Sequence, residues 1–198
     1  MRGEHRVMGN NGLPLHTRPR LQRRAALLLA CVFVSGQAPL FAQQRCDTGS
    51  FPLSSPTTRF EDNGDGTVTD TGSRLMWMRC STGQTWTGGA CKGAAANLTW
   101  DAAMVAAREV NDQGSYFYKD WRLPQIRELA TIAERQCADP RVNLAVFPDT
   151  PAAYYWTASS RAVQGAEPAA FVVSFGTDGV RYESKTEAHR VRLVRNAQ

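Results

Sequence analysis

"EDNGDGTVTD", Glu61 to Asp70, alternates acidic and amide side chains with glycines, as loops that wrap a hard cation in oxygens do. Its reading decides the fold: a helix–loop–helix calcium binder, or a sheet with a tight turn. An EF-hand loop needs oxygen ligands at positions 1, 3, 5, 7 and 9, glycine at 6 and a bidentate glutamate at 12. The register starting at Glu61 supplies Asn63, Asp65 and Gly66, but its twelfth residue is Gly72, which has no carboxylate. Beyond the loop, Thr67-Val-Thr69 has strand character rather than helical character. Asn-Gly and Asp-Gly accept positive φ cheaply, and Asn and Asp side chains bond their own backbone. The stretch is therefore expected to be a hairpin turn. Asn63 and Asp65 are secondary candidates for an ion, and calcium is a cofactor not favoured.

Outward from that turn, Leu75-Met-Trp-Met78 reads as a buried strand. Thr99 can cap a helix whose Trp100, Ala103, Met104, Ala107 and Val110 follow helical spacing, and Gly114 is a suitable stop. A second helix is expected to open at Pro124, to carry Ile126, Leu129 and Ile132, and to end before Cys137. The last third changes period. Tyr154-Tyr-Trp156 reads as a strand, Phe171 to Tyr182 as a hairpin around Gly176-Thr-Asp-Gly179, and Arg190 to Arg195 as a closing strand. Two early helices and several late antiparallel strands give an α+β class.

The N-terminus reads as a separate segment. Arg18, Arg20, Arg23 and Arg24 precede the apolar run Ala25 to Val34, and a small residue, Ala42, follows, as in a secretory signal peptide. The run is too short to span a membrane, which takes about 20 apolar residues. Residues 1–42 are read as leader and 43–58 as an extended lead-in to a domain over 59–198. Cys31, after Leu28-Leu-Ala30, offers a competing lipoprotein site, and the long basic region points to Met8 as the start. The leader holds six Arg and one Glu of the chain's 23 basic and 18 acidic residues, so the remainder balances at seventeen each. The formal charge of +5 thus belongs to the leader, and a nucleic-acid partner is not expected.

Four cysteines follow the leader, an even count that suits two disulfides in an exported chain. Three pairings are possible; glycines 83, 88 and 89, which let the chain double back, favour Cys80 with Cys91, and that leaves Cys46 with Cys137. A zinc site lacks support, because no CxxC occurs and His189 is the one histidine after the leader.

Taken in order, "RFEDNGDGTVTD" (59–70), "LMW" (75–77), "TWDAAMVAAREVN" (99–111), "DWRLPQIREL" (120–129), "YYWTASS" (154–160), "FVVSFGTDG" (171–179) and "VRLVR" (191–195) resemble the Lcl C-terminal domain-like family. That family takes its name from the end domain of Legionella collagen-like adhesins. The resemblance implies a C-type-lectin-like fold, two helices packed on small antiparallel sheets, in exported bacterial proteins, some of which bind glycans. Glu167-Pro168 is followed by Ala169 and no Trp-Asn-Asp occurs, so calcium-bridged sugar binding of the lectin kind is not expected.

Trp121, with Trp77, Trp100 and Trp156, is read as core, and Arg122 as a partner of Glu128. Trp86, in the glycine-rich disulfide loop, either stacks on a sugar or plugs its own loop. The segment after Ser159 offers Arg161, Gln164 and Glu167. The following hairpin and connection offer Arg181, Tyr182, Lys185 and Arg190, and several cations on one sheet face would suit sulfate or carboxylate groups. The competing reading is a solvated strand edge. The sequence presents no paired nucleophile, HExxH or phosphate loop, so no catalytic residue is assigned. A hydrolase using Glu167 or Asp178 is the least favoured function. The expected partner is a glycan or an envelope protein.

Overall fold

The computed structural model describes residues 44–198, except 48, 50, 51, 163, 164 and 166. The leader reading, Met8, Cys31 and Gln164 lie outside the described residues.

Short strands dominate. In chain order they are β1 (Arg45–Cys46), β2 (Phe60–Asp62), β3 (Thr67–Asp70), β4 (Leu75–Met78), β5 (Thr85–Thr87) and β6 (Ala90–Lys92). Helix α1 (Trp100–Gln113) and helix α2 (Ile126–Thr131) come next. Then follow β7 (Cys137–Ala138), β8 (Tyr154–Arg161), β9 (Ala169–Ser174), β10 (Val180–Ser184) and β11 (Val194–Asn196). All named pairings are antiparallel: β11-β4-β3-β2, β10-β9-β8, and the two-stranded β5-β6 and β1-β7.

Glu61 to Asp70 is a hairpin turn. Phe60 pairs with Asp70 and Asp62 with Val68, so strands stand on both sides. Asp62 accepts from the Gly64 N–H at 2.9 Å, and Asp65 accepts from the Thr67 N–H at 2.9 Å and its hydroxyl at 2.6 Å. Asn63 donates to the Thr67 hydroxyl at 2.9 Å. The oxygens that suggested an ion are tied to their own turn.

Two cores lie on either side of the sheets. Trp77, Tyr155, Val173 and Val194 belong to one; Met76, Met78, Trp156, Val172 and the α1 residues Ala103 and Ala107 belong to the other. Successive strand residues point to opposite faces, so β4, buried at all four positions, has no polar alternation to show. Helix α1 starts where the Thr99 hydroxyl accepts from Ala102 N–H and stops at Gly114, whose φ of 63° is left-handed. Trp121 is buried, and Arg122 meets Glu128 in two bonds of 2.7 and 2.8 Å.

Two expected elements are shorter than anticipated. The Pro124 carbonyl accepts from Ala158 N–H, which holds Pro124 to the sheet, so α2 begins only at Ile126. The helix stops at Thr131, because Ala133 bridges to Val142 instead. The closing strand shrinks to Val194–Asn196: the carbonyls of Val191 and Leu193 accept from Thr82 and Met78 outside a regular ladder.

The disulfides join Cys46 to Cys137 and Cys80 to Cys91. The first pins the lead-in, which is extended yet well anchored. Ser55 is fully buried, and the Glu134 carboxylate accepts its N–H at 2.8 Å.

Candidate functional site

The β8–β10 sheet carries the candidate residues, and its register sorts them. Arg181 pairs with Val172, which also pairs with Trp156, so these three share a face. Tyr182 pairs with Phe171 and belongs to the opposite face. Arg181 and Tyr182 therefore face apart. Adjacent residues of a strand cannot point the same way, and Arg161 goes with Tyr182, its guanidinium 4.2 Å from that ring centroid.

On the first face, a row of cations lies on aromatic rings. Arg181 sits 4.0 Å over Tyr154 and pairs with Glu183; Lys185 sits 3.6 Å over Trp100. Trp100 is held in turn by its indole N–H, which donates to the Thr157 carbonyl at 2.9 Å, so it is only partly buried core. His189 lies edge-on to Tyr154 at 5.7 Å and to Trp156 at 4.7 Å. Stacking on a ring face fixes a cation without neutralising it, an interaction worth about 0.5–2 kcal/mol.

Beside this row opens a cleft of about 430 Å³. It is built where three segments meet: the β8 start at Tyr154 with Ser174 opposite, the Gly176–Asp178 turn, and the return segment Ala188–Arg190. Asn97 and Asp139 complete it. The Arg190 backbone is strapped to β8, donating to the Tyr154 carbonyl and accepting from Trp156 N–H, both at 2.9 Å. The Arg190 guanidinium donates to the Ala95 carbonyl, while its Nε and Nε2 of His189 are buried away from solvent with no partner among the described residues.

Electrostatics follow from the contacts. Burial, ahead of the nearby Glu183, Arg181 and Glu187 charges, lowers the His189 imidazole below its usual 6.5, so the ring is neutral at pH 7. The Tyr154 hydroxyl donates to Asp178, which raises the phenol and lowers the carboxyl. The cleft thus offers a neutral imidazole, a guanidinium and two carboxylates, with fixed cations at its rim.

Not every candidate joins it. Trp86 is half-buried, with Arg79 4.2 Å over its ring and Gly66 of the β2–β3 turn against it, so it packs on that turn rather than lining the cleft. Glu167 is exposed in the connection between β8 and β9. Tyr154, Asn97 and Asp139 were missed by the sequence reading, since no local pattern marks residues that converge from distant segments. Among the described residues no group of three or more His, Cys, Asp or Glu is placed to hold a metal ion.

No curated protein matches the chain. Residues 66–195 match the family model described as Lcl C-terminal domain, and the chain belongs to that family.

Proposed function

We propose that this Lcl C-terminal domain protein is an exported, non-catalytic binding module of C-type-lectin-like fold. Its ligand is an anionic glycan of the cell envelope, bound along the Arg181–Lys185 row and into the cleft behind it. One observation carries the reading. Two cations are fixed on aromatic faces beside a polar cleft lined by Tyr154, Asp178, His189 and Arg190. Arg181 and Lys185 stand about 13 Å apart along an extended strand, a spacing that suits successive acidic groups of a polymer better than one small anion. Asp139 and Asp178 can accept hydrogen bonds from sugar hydroxyls, and aromatic rings give sugar faces a platform. Two disulfides suit an oxidising compartment. Among the described residues no helix is long and apolar enough to cross a membrane.

The test is titration of the oxidised protein with heparin-like and neutral glycans, at two salt concentrations, with and without calcium. Binding to the sulfated glycan should weaken with salt, ignore calcium, and fall several-fold in Arg181→Ala and Lys185→Ala. Absence of binding by folded protein refutes the reading. Exposed Val180 and Tyr182 favour a second reading, an accessory subunit that binds an envelope protein. Recovery of one stoichiometric partner, with no glycan binding, would support it.

A further inference from the structure

Strand β10 is an edge strand, and its outer edge is complementary to itself. Gly179 and Lys185 form the hydrogen-bonded pairs with Ser174 and Pro168 of the neighbouring chain segment. Hydrogen-bonded and non-bonded positions alternate in an antiparallel ladder. Arg181 and Glu183 therefore bond inward to β9, while the N–H and C=O groups of Val180, Tyr182 and Ser184 point outward. Among the described residues the backbone groups of Val180 and Tyr182 have no partner. Their side chains are also exposed, at 47% and 53%, on an edge where short, charged strands are the usual protection.

We infer that β10 pairs with β10 of a second copy, antiparallel about a two-fold axis through Tyr182. The sequence Val180-Arg-Tyr-Glu-Ser184 supports this register and no neighbouring one as well. Tyr182 faces Tyr182 as a hydrogen-bonded pair, exchanging the two N–H···O bonds that the edge lacks. Val180 faces Ser184. Arg181 of each copy faces Glu183 of the other, on the same side of the joined sheet. A register slipped by two residues sets Arg181 against Arg181 or Glu183 against Glu183, and like charges directly opposite destabilise a ladder. The two-fold contact is isologous and closes, so it yields a dimer rather than a filament. On the other side of the joined sheet the Arg161–Tyr182 stacks of the two copies come side by side.

The contact consists of one strand edge and is expected to be small, so association should be weak and transient. It brings the two Arg181–Lys185 rows onto one continuous face, but it stands on the strand edge alone and holds whether or not a glycan binds there.

The experiment is cysteine trapping on the oxidised full chain, without glycan. Directly opposed residues of a hydrogen-bonded pair lie about 5.5 Å apart at Cα, within the range a disulfide spans. Tyr182→Cys should cross-link to itself. Val180→Cys and Ser184→Cys should stay monomeric alone and cross-link when mixed. In parallel, sedimentation of the cysteine-free-edge protein over micromolar to millimolar concentration measures the association directly. Arg181→Glu or Glu183→Arg, each placing two like-charged pairs in the dimer, should weaken it by about tenfold. The double variant carrying both changes should restore it. A chain that stays monomeric throughout and fails to trap at residue 182 overturns the inference. So does a dimer indifferent to both charge reversals, or one trapped equally at residues 180, 182 and 184 alone.

Discussion

Replacing Arg192 with alanine should cost the fold about 2–6 kcal/mol, a sum of opposing terms. The side chain is fully buried among Ser81, Thr150 and Phe147, and among the described residues no carboxylate pairs with it. Burial pushes its guanidinium down from 12.5 to about 10, so holding the cation inside costs about 3 kcal/mol at neutral pH. The penalty is full below the folded value and is released as pH rises from there towards the unfolded value. Alanine removes that cost. It also strands the carbonyls of Met78 and Arg79, at about 1–3 kcal/mol each. A further loss of about 2 kcal/mol comes from the two buried methylenes beyond Cβ, and about 1 kcal/mol from the 2.7 Å bond to the Thr150 hydroxyl. Urea unfolding at neutral pH with both disulfides intact measures the balance. Arg192→Met, which keeps the stem and drops the charge, should lose less than Arg192→Ala. A loss below about 1 kcal/mol for the alanine variant, no more than an ordinary surface change, refutes the reasoning. Because Arg192 stands two residues after Arg190, its loss should also weaken whatever the cleft binds.

Opening the disulfides should destabilise unequally under the loop-entropy model: about 3 kcal/mol for the pair Cys80→Ala and Cys91→Ala, and between about 4 and 5 for Cys46→Ala with Cys137→Ala, read by urea unfolding. Gly66→Ala should cost at least about 1–2 kcal/mol for its positive φ. An added Cβ would also meet Trp86 at 2.6 Å, so tryptophan fluorescence should shift with it. Acid should unfold the protein below about pH 4, where the unfolded carboxylates take up protons. Burial would raise Asp70, Glu128 and Glu134. Arg59 and Ser73 outweigh that at Asp70, Arg122 and Gln125 at Glu128, and the N–H groups of Gln136, Ser55 and Ser54 at Glu134. All three folded values are lowered, so their stabilisation is present above the unfolded values and is lost as pH falls through the folded ones. Glu134→Gln should be less stable at pH 7 and lose less on acidification; a thermal melt series across pH checks both.

What the sequence made legible was local chemistry. Thr99 and Gly114 bound their helix because each acts within one turn of itself. Asn63 to Gly66 turned the chain because Asx bonding and positive φ are properties of four residues. The pleat also turns Arg181 and Tyr182, neighbours in a strand, to opposite faces, a constraint that follows from period two alone. Other features depended on partners far along the chain. Helix α2 lost its start because the Pro124 carbonyl was taken by β8, and Val191 to Leu193 left the ladder to serve Thr82 and Met78. Arg192 sits in the stretch read as the closing strand, yet its bonds to the Met78 and Arg79 carbonyls hold it in the core.

The same distinction separates the charges that can serve a ligand from those that cannot. Arg59, Arg79, Arg122, Arg192 and Arg195 spend their donors on carboxylates or carbonyls within the fold, and most are substantially buried. A cation already saturated in this way has little differential energy left for a partner. Arg181 and Lys185 are held differently, on the faces of Tyr154 and Trp100, which orient a charge but leave it uncompensated by a second full charge from the ring. Glu183 offsets Arg181 in the single copy. A second β10 would rearrange that pair into a four-charge cluster, so association of two chains and the acid-binding capacity of their joined face are physically linked through one arginine. The charge-reversal pair separates them, since restoring the dimer moves each arginine from position 181 to 183 while leaving the net charge of the face unchanged.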